Sequence, residues 1–560
     1  MLQRLVLCLA LIFILAETAF NLYTEFSLQH SAKTVQFDSV AKPSFTIVLI
    51  PLDSRPPCIQ FVEKLAALAN ISILTPPLEL LDNYQTPAKI VELRTWLRQA
   101  LQGANAAIIS TDMLIHGGLI ASRSSRGTQK DIADTLTLLE ECHQANPSVE
   151  LYVFNIIPRL LTADSNANAP YQLDMQKYSV LKDKVLTFEN PNDIAELKLL
   201  EKSIPIDVID NYLKRNQKSA EVSIELIKMT EKGIISGLII GQDDCQPFGL
   251  PNIIKRQLEY FVDKHSNLSG KVYITRGTDE VALTLLGRIV TKLTNHKPQI
   301  FVQYSDADTA KIIMPYMPHS VAKTVEEKIG IIGGKQTFDR DKADFILFVH
   351  IGTAQTSSAL LANATQQVKH LLDSNHKVAL VDLSNRFDGR DTLLPLLINK
   401  DAPIIRLAAY AGWNTTSNSI GSALTEGTLF TQALHVNTSS PHVLAVYKNN
   451  IEFLTARFLD DWFYEKDIQP YIAAILQRLN VDKNNLDSKY YSVNRLVQTL
   501  LSGRAYRLYH QSLYSHPILI ESGERILISN FHINACLPWS RIFEIRISPT
   551  VSIATIGEHN

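Results

Sequence analysis

The sequence predicts an α/β protein, mainly parallel strands in βα units, with a helical insertion and an α+β C-terminal region. Three observations predict it. From Phe45 to about Ser440, short runs of β-branched and aliphatic residues alternate with helical patterns, and the runs are continuously apolar, as strands covered on both faces require. Most of these runs stop at a polar cluster, as strands do when their carboxyl ends contribute to one site. Beyond Ser440 the alternation stops.

Taken in order, Phe45–Ile50 is the first strand, followed by Asp53, Ser54 and Arg55 and a helix through Phe61 and Leu65. Ile71–Leu74 stops at Thr75-Pro76-Pro77, and Pro87 opens the next helix. Residues 106–111 end at Asp112, with His116-Gly117-Gly118 and Arg123 beyond; residues 149–154 run into Asn155, Pro158 and Arg159. Residues 164–232 are polar and helical, longer than a crossover needs, and are expected to be an insertion serving as a lid or substrate-side subdomain. The apolar run from Ile234 stops at the adjacent carboxylates Asp243 and Asp244, and Pro251 suits the first turn of the helix that follows. Residues 271–275 lead to Arg276-Gly277-Thr278-Asp279-Glu280.

Four further strands are expected at 300–304, 345–349, 378–381 and 404–408, with tails carrying Asp306, Asp308, His350, Asp382, Asn385, Trp413, Asn414 and Asn418. Ten strands exceed a plain eight-fold barrel. The alternatives are an expanded barrel or two α/β domains with a cleft between them, and the reading favoured is a barrel-like first domain (45–298) packed on a smaller Rossmann-like one (299–440). Residues 441–560 form the α+β region: helices at 443–479 and 494–509, then strands at 517–520, 525–528 and 543–547.

The 560 residues, 46% hydrophobic and 20% charged, suit a large globular core. A net charge of -2 gives no bulk reason to bind nucleic acid or an anionic membrane, so the expected partner is a small-molecule or glycan substrate. Arg4 precedes an apolar run over residues 5–16, the length of a secretory signal core and short for a membrane span. Residues 1–20 are therefore expected to be a signal peptide or uncleaved anchor, 21–44 a linker, and the protein secreted or extracytoplasmic, or tethered to a membrane by residues 5–16. Sequons begin at Asn70, Asn267, Asn363, Asn414 and Asn437. Cys58, Cys142, Cys245 and Cys536 show no Cys-x-x-Cys spacing, which argues against a zinc cluster and leaves disulfides open.

Six motifs in order, Pro51-Leu52-Asp53-Ser54-Arg55-Pro56, Ser110 to Arg123, Gln242-Asp243-Asp244, Gly277-Thr278-Asp279-Glu280, Tyr410 to Thr415 and Pro538-Trp539-Ser540-Arg541, resemble a largely bacterial family known as domain of unknown function 4127. The resemblance spans nearly the whole chain after Pro43 and implies no mechanism. Ser54 stands where the family's first motif usually has a second Asp.

The strand-end residues point to chemistry. Paired carboxylates can divide the work of glycoside hydrolysis between an acid/base and either a nucleophile or a group that steadies a substrate amide, and like charges held close push one pKa upward. Asp243, Asp244, Asp279 and Glu280 are the candidate catalytic groups. Asp53, Arg55, Asp112, His116, Arg159, Arg276, Trp413, Asn414 and Asn418 are the candidate substrate-binding groups: arginines for carboxylates or charge balance, the indole for a sugar face, the amides for hydroxyls. Adjacent acids at a strand end also resemble the arrangement of some hydrolases of 2-acetamido sugars. Two other readings use the same residues. The aspartates are hard ligands for a divalent cation in ester or phosphate hydrolysis, and the cleft suits a non-catalytic carbohydrate-binding protein. Against all of these stands the ordinary role of Asp as a helix cap. No cofactor is expected apart from that cation, because the sequence has neither a phosphate loop nor a well-placed Gly-x-Gly-x-x-Gly, and the lack of a Gly-x-Ser-x-Gly nucleophile elbow argues against serine hydrolysis.

Overall fold

The computed structural model describes residues 33–35, 43, 45–123, 127–160 and 169–556. The expected signal or anchor segment lies outside the described residues, and among those described no helix is long and apolar enough to cross a membrane.

After a two-residue strand β1 (Lys33–Thr34), six strands form one parallel sheet: β2 (Phe45–Ile50), β3 (Ile71–Leu74), β4 (Ala106–Ser110), β5 (Glu150–Ile157), β6 (Gly237–Gln242) and β7 (Val272–Arg276). Their order is β3-β2-β4-β5-β6-β7. A second parallel sheet holds β8 (Gln299–Tyr304), β9 (Lys335–Thr337), β10 (Phe345–Gly352), β11 (Val378–Ser384) and β12 (Ala409–Ala411), ordered β12-β11-β10-β8-β9. Both sheets are wound alike: the second strand of each lies at one edge beside the first, and the third continues on the other side. Open sheets of this kind bind ligands outside the carboxyl ends of their strands, where the winding reverses. The third sheet, antiparallel, orders β1-β15-β14-β13 from β13 (Ile518–Leu519), β14 (Arg525–Cys536) and β15 (Arg546–Ile556).

The α/β class is as expected, but the first sheet is open, not barrel-like. β3 and β7 stand at its opposite ends, because the chain turns back past β2 before continuing through β4. Strands β4, β6, β10 and β11 are buried along their whole length, which is why their sequences read as unbroken apolar runs. The apolar stretch at 404–408 is a short 3-10 turn, Ile404–Arg406, and the strand follows it at Ala409–Ala411; Ile404 and Ile405 are buried without joining a ladder. β9, three polar residues, leaves no sequence signal.

The insertion is three helices, Gln172–Phe188, Pro191–Ser203 and Ile206–Glu231, with a small core of its own around Tyr178, Leu197 and Tyr212. The two sheets are joined through helices Val281–Thr294 and Thr416–Val436. Gly421 makes this approach feasible: a Cβ there would fall 2.5 Å from Glu280 Cγ. Beyond Ser440, helix Ser440–Phe458 passes into a π-helical stretch, Leu459–Ile468, before Gln469–Arg478. Cys58, Cys142, Cys245 and Cys536 are free thiols.

Candidate active site

A cleft of about 820 Å³ opens at the carboxyl ends of both sheets. The first sheet supplies Arg55 after β2, Arg123 beyond β4, Arg159 after β5, Asp243 and Asp244 after β6 and Asp279 after β7. The second supplies Tyr316, Phe387, Trp413, Asn414 and Asn418, and the C-terminal region adds Arg541 and Phe543.

Strand β6 is buried throughout and ends at Asp243, which the sheet holds by donation from the Asp243 amide to the Ile157 carbonyl at 3.1 Å. Arg123 grips one Asp243 oxygen, Oδ2, through Nε at 3.1 Å and Nη2 at 2.7 Å, while Oδ1 accepts from the Asp244 amide at 2.9 Å. Burial alone would raise the Asp243 pKa, but Arg123 and Arg159 outweigh it and hold the carboxyl below its ordinary value, so it is an anion. Asp244 behaves oppositely. Its side chain is partly buried, faces the cleft and has no hydrogen-bond partner among the described residues. Burial, then the Asp243 charge, push it up to about 7 against the pull of Arg123 and Arg159.

Asp279 is built into a second cluster. Arg55 bridges it to Asp53, with Nη2 2.7 Å from Asp279 Oδ1 and 2.7 Å from Asp53 Oδ2, and Nε 2.9 Å from the same Asp53 oxygen. Burial works against the Arg55 charge, yet Asp279 and Asp53 raise its pKa well above the ordinary value. Burial likewise opposes the Asp53 anion, and Arg55 keeps it below its ordinary value. Asn414 donates to Asp279 Oδ2 at 3.1 Å and accepts from Asn418 at 3.0 Å. Asn418 in turn accepts from the Thr278 amide at 3.0 Å, so the head of helix Thr416–Val436 pins the loop after β7. Trp413 meets Phe543 edge to face at 5.6 Å, and the Arg541 guanidinium lies 4.3 Å from the Tyr84 ring centre and 5.1 Å from that of Phe543.

Eight of the thirteen predicted residues thus line the cleft: Arg55, Arg159, Asp243, Asp244, Asp279, Trp413, Asn414 and Asn418. The other five do not. Asp53 is wholly buried and serves Arg55. Asp112 lies in the first turn of helix Thr111–His116 and accepts from the Ile156 amide at 2.9 Å, with burial pushing it to about 7. His116 accepts from the Gly127 amide through Nδ1 at 3.0 Å, and burial lowers its pKa to about 4, leaving a neutral ring that ties a loop. Arg276 is buried against Glu327 at 2.6 Å. Glu280 forms a buried ion pair with Lys328, and burial raises its pKa despite that partner. Sequence spacing brought these groups to strand ends but could not say which side of the loop they occupy. Asp382, another strand-end acid, caps the helix at Leu394–Asn399 by accepting from the Leu393 and Leu394 amides at 2.7 and 2.9 Å.

None of the insertion's described residues lines this cleft. Its Arg215 braces the site from behind, donating to the Arg123 carbonyl at 3.0 Å and the Arg159 carbonyl at 3.4 Å. Arg123, Tyr84, Tyr316, Phe387, Arg541 and Phe543 were not among the predicted site residues. Only Arg123 and Arg541 had a signal, their place in motifs; Tyr84, Tyr316 and Phe387 sit at positive φ on loops, which sequence does not announce. Trp539 is buried and donates to Ser54 Oγ at 3.0 Å, while its neighbours Arg541 and Phe543 wall the cleft. Ser54 also donates to the Asp82 carbonyl at 2.7 Å, so its hydroxyl is structural.

A family model described as "Protein of unknown function (DUF4127)" matches residues 47–548. The chain belongs to that family. The match to DUF4127 takes in every cleft residue named above, and no curated protein matches the chain. Within this DUF4127 chain, no three His, Cys, Asp or Glu side chains among the described residues come together in a group suited to a metal ion. Guanidinium groups stand against Asp53, Asp243 and Asp279, where the cation reading would put a divalent ion.

Proposed function

We propose that the protein is an exported glycoside hydrolase in which Asp244 is the acid/base. The observation that carries the reading is the contrast between two adjacent carboxyls in one cleft. Asp243 is an arginine-bound anion, and Asp244, with no hydrogen-bond partner for its side chain among the described residues, titrates at about 7. Environments that push neighbouring acids apart mark division of acid/base labour. The cleft volume lies within the usual range for ligand sites, and its aromatic walls with Asn414 and Asn418 suit sugar faces and hydroxyls.

In this mechanism Asp244, protonated below about pH 7, gives its proton to the glycosidic oxygen as the bond to the anomeric carbon breaks. Asp243 and Asp279 stabilise the positive charge that develops on the sugar. The Asp244 carboxylate then takes a proton from the attacking water. Export rests on the apolar run at residues 5–16.

The test is a screen of the purified protein against chromogenic glycosides and cell-wall fragments, with and without chelator. Turnover of a glycoside that survives chelation is expected; turnover only of an ester or phosphate, lost on chelation, would replace this reading with the metal-assisted one. A second reading is favoured by one observation, the paired open sheets facing a single cleft, which suits a carbohydrate receptor. Glycan affinity without any turnover in the wild type would favour it.

A further inference from the structure

Given that hydrolase reading, the cleft raises the question of what attacks the anomeric carbon. A carboxylate offers about four acceptor sites. At Asp279, four donors already converge: Arg55 twice, at 2.7 and 3.4 Å, Thr278 Oγ1 at 3.3 Å and Asn414 at 3.1 Å. At Asp243, Arg123 takes two places and the Asp244 amide a third, leaving one. Either would have to break a buried ion pair to bond covalently to a sugar. Asp243, bound by Arg123, is also a weakened base towards water. Asp244, whose carboxyl has no hydrogen-bond partner among the described residues, is needed as the acid.

We infer that the substrate supplies its own nucleophile: a 1,2-trans-linked 2-acetamido sugar, whose acetamido oxygen attacks while its N–H occupies the last acceptor site of the arginine-bound Asp243. The steps balance. The acetamido oxygen forms a bond to the anomeric carbon as the glycosidic C–O bond breaks, and the leaving oxygen takes the proton of Asp244. The bicyclic oxazolinium so formed is paired with the Asp243 anion, which stabilises the N–H without removing its proton. Water then adds to the anomeric carbon and gives a proton to Asp244, the electrons of the oxazolinium C–O bond return to the acetamide, and the product keeps the substrate's configuration. A covalently bound Arg123 partner is not required at any step, so the ion pair stays intact throughout.

The experiment uses 4-methylumbelliferyl 2-acetamido-2-deoxy-β-D-glucoside and its galacto epimer, each with mono-, di- and trifluoroacetyl forms, beside the matching 2-hydroxy glycosides. Substrate participation predicts that kcat/KM falls with each added fluorine, that 2-hydroxy glycosides are not turned over, and that a sugar-fused thiazoline binds at least about 10²-fold tighter than substrate. Asp243→Asn is expected to lose the thiazoline affinity, and thermal melting of that variant shows whether the fold is retained. Equal turnover of 2-hydroxy and 2-acetamido glycosides, or no response to fluorination, would overturn the inference and leave the hydrolase reading intact. Hydrolysis of no glycoside of any kind would overturn both.

Discussion

Asp243 and Asp244 are adjacent in the chain yet titrate in opposite directions, and the hydrogen bonds from Arg123 to one of them help to set them apart. Arg123 places two nitrogens on Asp243 and none on Asp244. The Asp243 anion so fixed then adds to burial in raising its neighbour to about 7. Two predictions belong here. Asp244→Asn is expected to lower kcat/KM by roughly 10²- to 10⁴-fold on substrates with poor leaving groups, the ordinary worth of a general acid, with glycan affinity in calorimetry unchanged. Arg123→Leu would strand a charge that is 4% exposed, and the expected cost is about 3–5 kcal/mol in urea unfolding. The double variant with Asp243→Asn recovers much of that loss, because the orphaned charge is gone. An additive double variant would mean that the pair is not coupled.

At the scale of elements, strand ends and helix starts were legible but the roles of their acids were not. A polar residue after an apolar run is the same sequence event whether it faces the cleft, as Asp244 does, or caps a helix, as Asp382 does. Asp112, which turns inward and accepts from the Ile156 amide, shows what a strand-end acid away from the cleft does for the fold. Its carboxyl is raised from an ordinary 3.8 to about 7, so its contribution to stability is present below pH 3.8 and is lost as pH rises towards about 7. Melting temperatures measured from pH 4 to 8 should therefore fall less steeply in Asp112→Asn than in wild type, where this one group accounts for at most about 4 kcal/mol at 1.36 kcal/mol per unit. An unchanged slope would contradict the assignment. The join between the sheets has its own test. Gly421→Ala sets a methyl 2.5 Å from Glu280 Cγ in a helix packed on the Glu280–Lys328 pair, and overpacking of that kind costs typically about 1–3 kcal/mol. A variant as stable as wild type would show that the helices separate easily.

For the whole molecule, the alternating text up to Ser440 carried the α/β class, and ten predicted strands pointed correctly to a large parallel architecture. Closure into a barrel was not legible, because strand order depends on which side of β2 the chain returns to, and no residue pattern records that. The convergence of loops was partly legible: Arg55, Asp243, Asp279 and Trp413 stood out as polar or aromatic strand ends, whereas Tyr84, Tyr316 and Phe387 arrive from loops whose backbone turns have no composition signal. The assembled shape makes a physical prediction. Asn418 and Ser417 tie the second sheet's helix to the loop after β7, Ser417 donating to the Arg276 carbonyl at 2.6 Å, directly beside the cleft. The two sheets should therefore not swing together on ligand binding, and small-angle scattering should give the same radius of gyration with and without a saturating glycan. A receptor that works by hinge closure would contract.

The measurement that tests the central claim most directly is kcat/KM across pH 4 to 9 for wild type and Asp244→Asn, on aryl glycosides with good and poor leaving groups. The wild-type rate should fall above about pH 7 as Asp244 loses its proton. The variant should lose that limb together with most of its activity on the poor leaving group, while keeping more on the good one, which needs no proton. A variant whose profile and leaving-group preference match the wild type would contradict the assignment of Asp244 as the proton donor.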